Sequence, residues 1–164
     1  MFKSSESSFT IHERKDDLFE DSNPNDALAI CVSQDFRMSR GLPYVFKDRF
    51  NGIDELKSQD KRVGQVAYLL HKETDYRGRI IQSRYIFYLI FKEKSIDQPM
   101  KDDFENTLKE LRKLIEEMKI EGISIPKIAT GFDAFNLEYV KQAICKVFEG
   151  ILLKLFYEIN LKLI

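Results

Sequence analysis

Apolar residues recur along this chain with two different periods, and each period predicts one kind of element. The longest uninterrupted apolar segment runs from Tyr85 to Phe91, and a second runs from Ala27 to Val32. Segments of this length without polar interruption are typical of strands that are buried on both faces of a sheet. We therefore expect these two strands to lie in the middle of a sheet that helices cover on both sides.

Two other segments show helical spacing. Apolar residues three and four positions apart run from Phe104 to Met118 and from Leu137 to Phe148, which predicts two amphipathic helices. Asp102 and Glu105 have the spacing of a capping box at the start of the first helix. Gly122 follows that helix and is expected to stop it.

Shorter elements complete the predicted order. They are an edge strand over 9–13, helices over 43–50 and 53–58, a strand over 65–70, a hairpin tip at 73–79 before the strand that begins at 80, and a strand over 123–128. The C-terminus leaves alternatives open: the last helix could continue through Leu155, or a final strand could form over 152–157 or 159–163. The serine-rich residues 1–8 are expected to be a disordered tail, and 9–164 to form a single domain.

Strands that alternate with helices predict an α/β fold. We expect the N-terminal strand and the hairpin to add antiparallel pairs, so that the sheet is mixed. The 164 residues are 43% hydrophobic and 32% charged, with 26 basic and 27 acidic residues. This balance does not indicate nucleic-acid binding, and the charges within the C-terminal apolar segment exclude a membrane span there.

The histidines and cysteines do not indicate a metal site, a disulfide framework or an acid–base pair. Cys31 and Cys145 have neither the spacing of a metal site nor that of a disulfide framework, which fits a reducing compartment. His12 and His71 have no acid–base partner at motif spacing. We therefore expect no metal site and no cofactor.

The segment 123–136 is the first candidate for chemistry. It reads as a strand, a loop of small residues at 129–131, an acid at Asp133 and a helix that opens near Asn136. Such a joint can aim unpaired backbone N–H groups at an anion. It predicts a phosphate-binding loop with a carboxylate beside it, although a plain turn between strand and helix would have the same pattern.

Lys92 ends the most buried strand and is the second candidate. If the helix that follows it is a right-handed crossover, Lys92 and Asp133 face the same crevice at the strand ends. A neutral lysine amine can attack carbon, and an acid can protonate a leaving group. Each residue alone is also explained as a strand-end charge in water.

In chain order, several motifs together resemble those of a known family. They are Asp17-Leu18-Phe19, Ala27-Leu28-Ala29, Ser33-x-Asp35-x-Arg37-Met38, Tyr85-Ile86-Phe87-Tyr88-Leu89-Ile90-x-Lys92, Pro126-Lys127-Ile128 and Gly131-Phe132-Asp133. Over roughly residues 9–150 the chain resembles a macrodomain, and among macrodomains the terminal ADP-ribose glycohydrolases, also called O-acetyl-ADP-ribose deacetylases. The resemblance implies a three-layer α/β/α fold with a mixed central sheet that binds ADP-ribose along the strand ends.

The resemblance also implies an activity. Such enzymes remove mono-ADP-ribose from glutamate and aspartate side chains and deacetylate O-acetyl-ADP-ribose. Lys92 would attack the anomeric carbon of the distal ribose and form a covalent adduct, which Asp133 would help to release. Asp17 would accept from the adenine amino group, with Leu18 beside it. The other implied ligand-binding residues are Ser33, Arg37, Ser39, Arg40 and Gly41 in one loop, and Lys127, Ile128, Ala129, Thr130, Gly131 and Phe132 in the loop for the diphosphate and ribose.

The implied partners are ADP-ribose and ADP-ribosylated proteins. We expect a monomer in the nucleus, the cytoplasm or both, without a nucleic-acid or membrane partner.

Two departures from the family pattern support an alternative. The family's Arg-Met-Gly-x-Gly loop has Ser39 and Arg40 here, and the first glycine of its Gly-x-Gly loop is Ala129. If either replaced glycine requires a positive φ, the side chain costs about 1–2 kcal/mol. Arg37 and Arg40 flank a turn, where they could meet a phosphate or face water. The alternative is therefore a catalytically weak or inactive ADP-ribose reader with altered phosphate loops.

Overall fold

The computed structural model describes residues 9–14, 18–19, 23–126, 128, 135–151 and 153–158. Within these ranges the chain forms, in order, β1 (Phe9–Arg14), β2 (Ala27–Ser33), α1 (Gly41–Phe50), α2 (Ile53–Ser58), β3 (Val66–Thr74), β4 (Ile80–Lys92), α3 (Lys101–Met118), β5 (Gly122–Pro126), α4 (Leu137–Phe148) and β6 (Leu153–Glu158). The predicted tail at 1–8 lies outside the described residues.

The strands form one six-stranded sheet in the order β1-β6-β5-β2-β4-β3. The pair β3–β4 is antiparallel and the other pairs are parallel, so the sheet is mixed as predicted. The N-terminal strand lies at the edge, as expected. The expectation that it adds an antiparallel pair is wrong, because β1 runs parallel to β6.

Helices cover both faces of the sheet, which confirms the three-layer α/β/α fold. Side chains alternate along β4, so that successive residues enter different cores. Phe87, Leu89 and Phe91 pack in the core that contains residues of α3 and α4. Ile86, Tyr88 and Ile90 pack in the core that contains residues of α1 and α2. The uninterrupted apolar segment of β4 is thus explained by burial on both faces.

The predicted start and stop of α3 are both wrong. The helix begins at Lys101, and the residue before it makes no capping hydrogen bond through its side chain. Glu105 instead accepts a hydrogen bond from the Tyr139 hydroxyl of α4 at 2.5 Å, so its carboxylate joins two helices. The left-handed residue that ends α3 is Lys119, with φ 57°. Gly122 begins β5 instead.

The structure also decides between the alternatives at the C-terminus. Helix α4 ends at Phe148, and Gly150 adopts a left-handed φ of 84° before β6 begins at Leu153. The helix therefore does not continue through Leu155, and the final strand forms close to the predicted 152–157. The alternative strand over 159–163 lies outside the described residues.

Arg84 holds the loop before β2 against β4, at the end of the sheet away from the last residues of β2 and β4. Its side chain is 4% exposed, and its guanidinium donates to the carbonyl oxygens of Asp26 at 2.8 Å and Asn23 at 3.2 Å. Burial lowers the pKa of Arg84, and the nearby Asp26 carboxylate opposes that shift. The loop thus depends on one buried cation.

We predict that Arg84→Met lowers the free energy of unfolding by about 2–4 kcal/mol, since hydrogen bonds to charged groups contribute about 1.5–3 kcal/mol each. Urea denaturation measures the change. Arg79 is the matched control: it is exposed and pairs with Asp75 in the hairpin turn, so Arg79→Met should change stability by less than about 1 kcal/mol. Equal losses in the two variants would contradict the assigned role of Arg84.

Candidate active site

The parallel strands β2, β4 and β5 end at one edge of the sheet. Both β4 and β5 pair with β2 in parallel, so β2 lies between them. This confirms the expected parallel relation between the strand that ends at Lys92 and the strand that leads to Asp133. Ligands of open α/β sheets bind outside such strand ends. Asp133 itself lies outside the described residues.

Lys92 is the last residue of β4 and is half-buried. Its Cα lies opposite that of Ser33 at the end of β2, and its carbonyl oxygen accepts from the Gln34 N–H at 2.9 Å. The Nζ atom lies 5.4 Å from the centroid of the Phe91 ring, a cation–π distance. The amine is therefore carried by a strand end that is tied to its neighbour.

Asp35 lies beside this strand end and gathers several hydrogen bonds. Its carboxylate accepts from Ser33 Oγ at 2.6 Å and from the Arg37 N–H at 3.2 Å, and the nearby Ser95 backbone also helps to lower its pKa. Partial burial alone would raise the pKa of Asp35, but these hydrogen bonds outweigh it, and with the Arg37 charge they hold the pKa below the ordinary 3.8. The contacts therefore stabilise the folded loop above about pH 4, and their contribution is lost as the pH falls through the lowered value.

The loop between β2 and α1 contains left-handed backbone, although not where the family pattern suggests strain. The φ angles are 48° at Phe36, 44° at Met38 and 68° at Gly41. The side chains of Phe36 and Met38 are buried, which holds the strained backbone in place. Ser39 is exposed and has no positive φ. The expected strain cost therefore does not arise at Ser39, whereas Ala129 lies outside the described residues.

Three helices begin at this edge, and they differ in what their N-termini offer an anion. In α4 the side chain of Asn136 accepts from the N–H groups of Glu138 and Tyr139. The first turn of α3 carries Asp102 and Asp103.

The first turn of α1 has no acidic residue and no side-chain cap. The N-terminus of α1, rather than that of α4, is therefore the helix end suited to an anion. The hypothesis that the segment 123–136 supplies the donors stays a prediction, because residues 129–134 lie outside the described residues. The exposed Arg40 stands at the cap position of α1 and Gly41 begins the helix, so both lie beside this helix end, and the exposed Arg37 lies in the loop that leads to it.

The other predicted ligand-binding residues fall into two groups. Leu18 and Ile128 are buried, at 0% and 3% exposure, so they offer a ligand almost no surface in this conformation. The rest lie outside the described residues: Asp17, Lys127, Ala129, Thr130, Gly131 and Phe132.

Sequence reasoning names Asp35 only within the motif Ser33-x-Asp35-x-Arg37-Met38 and assigns it no role. The spacing between Ser33 and Asp35 could have indicated this contact, because a hydroxyl can donate to a carboxylate two residues away.

Among the described residues, no group of three or more histidine, cysteine or acidic side chains could hold a metal ion. In the same part of the chain, no helix combines the length and apolar character that crossing a membrane requires.

Comparison with models of protein families finds no match. Comparison with curated proteins finds human ADP-ribose glycohydrolase OARD1, which is 33% identical over 136 residues, 83% of this chain and 82% of that protein. The macrodomain of Mycobacterium tuberculosis DarG has a similar structure, with a TM-score of 0.76 and 16% identity over 92% of this chain and 99% of that one. Thermosipho africanus DarTG in complex with ADP-ribose matches with a TM-score of 0.65 and 14% identity, over 86% of this chain and 40% of that one.

The structural neighbours share the α/β fold with its mixed sheet, and the human relative is similar in sequence over most of both chains. The chain therefore belongs to the macrodomain family, on the branch of the ADP-ribose glycohydrolases.

Proposed function

We propose that this protein binds ADP-ribose and hydrolyses the ester between mono-ADP-ribose and glutamate or aspartate side chains, and that it deacetylates O-acetyl-ADP-ribose. The human relative is an ADP-ribose glycohydrolase, and the structural neighbour from Thermosipho africanus holds ADP-ribose. The substrates are ADP-ribosylated proteins. The protein acts as a monomer in the nucleus, the cytoplasm or both.

The proposed reaction uses Lys92 and Asp133 in sequence. The neutral Lys92 amine attacks the anomeric carbon of the distal ribose, a C–N bond forms, the C–O bond to the acyl group breaks, and the glutamate or aspartate carboxylate leaves. Asp133 then promotes release, in which water replaces the lysine nitrogen at that carbon. The reaction yields ADP-ribose and restores the free amine.

One observation carries this proposal: a lysine amine stands at the sheet edge where the parallel strands end, on the residue opposite Ser33. The N-terminus of α1 lies at the same edge and could hold the diphosphate through the N–H groups of Gly41 and Leu42, since Pro43 has none, with Arg40 adding a cation. A protein that only binds ADP-ribose would need the anion site but not the lysine amine, so the amine supports hydrolysis.

The second candidate function is an ADP-ribose reader without catalytic activity. Ala129 favours it, because it replaces a family glycine in the loop that precedes Asp133. Ser39 does not favour it on the ground of strain, since its φ is not positive.

Two measurements on the wild-type protein test the proposal. Calorimetry with ADP-ribose should give a heat of binding, and incubation with a glutamate-ADP-ribosylated protein should release ADP-ribose. Binding without release would leave the reader as the function. The absence of binding at millimolar ADP-ribose would overturn both candidates.

We predict that Asp17→Ala weakens ADP-ribose binding by about 1–3 kcal/mol, the usual loss for a hydrogen bond to a charged group. The wild type should also discriminate against the hypoxanthine analogue, because hypoxanthine lacks the exocyclic amine that donates to the carboxylate. The neighbouring carboxylate supplies the control, since Asp16→Ala should bind nearly as the wild type does. Equal affinities for Asp17→Ala and wild type would place the adenine elsewhere.

A further inference from the structure

The strand end that carries Lys92 is not held by a regular ladder. The pairing between β2 and β4 shifts register between Val32 and Ser33, so that Ser33 lies opposite Lys92 while Val32 lies opposite Ile90. A bulge interrupts the repeating hydrogen bonds and bends the strand locally. Additional contacts must therefore define where the last residue of β4 points.

Two contacts supply that definition. The Gln34 N–H donates to the Lys92 carbonyl oxygen at 2.9 Å. Directly beyond it, the Asp35 carboxylate accepts from Ser33 Oγ at 2.6 Å and from the Arg37 N–H at 3.2 Å on its own loop. One carboxylate thus ties together the two ends of the loop that presents the Gln34 N–H to the residue that carries the amine.

We propose that Asp35 is a positioning residue for the reaction, because its carboxylate holds the loop over 33–37 in the shape that presents the Gln34 N–H to the Lys92 carbonyl oxygen, and so sets the direction of the amine. This proposal rests on the proposed function of Lys92. Reactions of bound groups depend steeply on geometry, and a misplacement of about 1 Å can reduce the rate about 100-fold. Binding of free ADP-ribose involves no attack by the amine and depends less on that direction.

The test compares Asp35→Ala with a matched carboxylate. Asp97 Oδ2 accepts from the Lys94 N–H at 3.0 Å, so it orders backbone in the loop after β4, whereas Asp35 orders the loop after β2 that donates to Lys92. We expect Asp35→Ala to slow single-turnover release of ADP-ribose about 10- to 100-fold and to leave its dissociation constant within about three-fold, less than the roughly five-fold shift that loss of one average net hydrogen bond produces. Asp97→Ala should change neither quantity by more than about three-fold on the same criterion.

Conservative substitution adds a graded readout. Asp35→Asn keeps one acceptor oxygen and should fall between wild type and Asp35→Ala in rate. A wild-type rate in Asp35→Ala, or equal losses in Asp35→Ala and Asp97→Ala, would overturn the proposal. So would a loss of rate that the loss of folded protein fully accounts for, as measured by thermal unfolding.

Amide hydrogen exchange separates this inference from the proposed function. Without Asp35 the Gln34 N–H should exchange faster than in the wild type and in Asp97→Ala, because the loop that presents it is no longer tied at its far end. If the wild type fails to release ADP-ribose, the proposed function fails, and exchange at Gln34 still decides whether Asp35 holds the loop. Unchanged exchange would overturn the inference even in an active enzyme.

Discussion

Lys92→Ala should abolish release of ADP-ribose from a glutamate-modified protein while the dissociation constant of free ADP-ribose stays within a few-fold of the wild type. The amine bonds to carbon only during the reaction, so its loss removes an interaction of the transition state and not of the ground state. We expect a rate reduction of roughly 10³-fold or more, as for other nucleophiles whose loss stops the covalent step. Single-turnover release and calorimetry measure the two quantities.

Arginine at position 92 should not restore activity, because a guanidinium stays protonated and cannot attack carbon. Lys94 provides the matched control. It is an exposed lysine in the segment after β4, and Lys94→Ala should release ADP-ribose at the wild-type rate. Turnover in Lys92→Ala as fast as in the wild type would exclude Lys92 as the nucleophile.

Asp133→Ala should also stop turnover, with a different chemical signature. If Asp133 acts after the attack by Lys92, the covalent adduct forms and is not released. Intact mass measurement should then show protein heavier by one ADP-ribosyl group after incubation with substrate, and the double variant Lys92→Ala/Asp133→Ala should not gain this mass.

The exposed Glu138, in the first turn of α4, is a carboxylate five residues after Asp133 in the sequence, and its replacement by alanine should leave turnover unchanged. Rapid turnover in Asp133→Ala would remove Asp133 from the mechanism. A turnover defect without any adduct would place its action before or during the attack by Lys92.

The sequence predicts well those elements whose burial produces a recognisable pattern of apolar residues within a short segment. The segment over 85–91 is apolar throughout because β4 is covered on both faces, and the period in 104–118 arises because one face of α3 meets the sheet. Both patterns depend on local geometry, so they can be recognised without knowing the partners.

The wrong predictions concern residues whose side chain or backbone conformation depends on a partner far away in the sequence. Glu105 looks like part of a capping box, yet its carboxylate accepts from Tyr139 on another helix. The left-handed end of α3 falls on Lys119, although a glycine stands close by. Local spacing cannot reveal that a distant residue competes for the same group, which is why these predictions fail.

The candidate site divides in the same way. Lys92 and Asp133 are each identified from a short motif whose residues are close together in the sequence. The role proposed for Asp35 follows from the adjacency of β2 and β4, which brings the Gln34 N–H of the loop after β2 to the Lys92 carbonyl oxygen. A similar argument applies to the helix ends: Asn136 occupies the donors of α4, whereas the first turn of α1 has no side-chain cap.

By itself, the sequence determined which segments are buried, which period each follows and which family motifs the chain carries, because these depend on residues within a turn or a strand of one another. The tertiary structure decided that β1 runs parallel to β6, that a register shift places Ser33 opposite Lys92, and that the loop held by Asp35 donates to the Lys92 carbonyl oxygen. Those outcomes depend on the choice among strand partners far apart in the chain. That choice is made by packing the whole sheet between its two layers of helices.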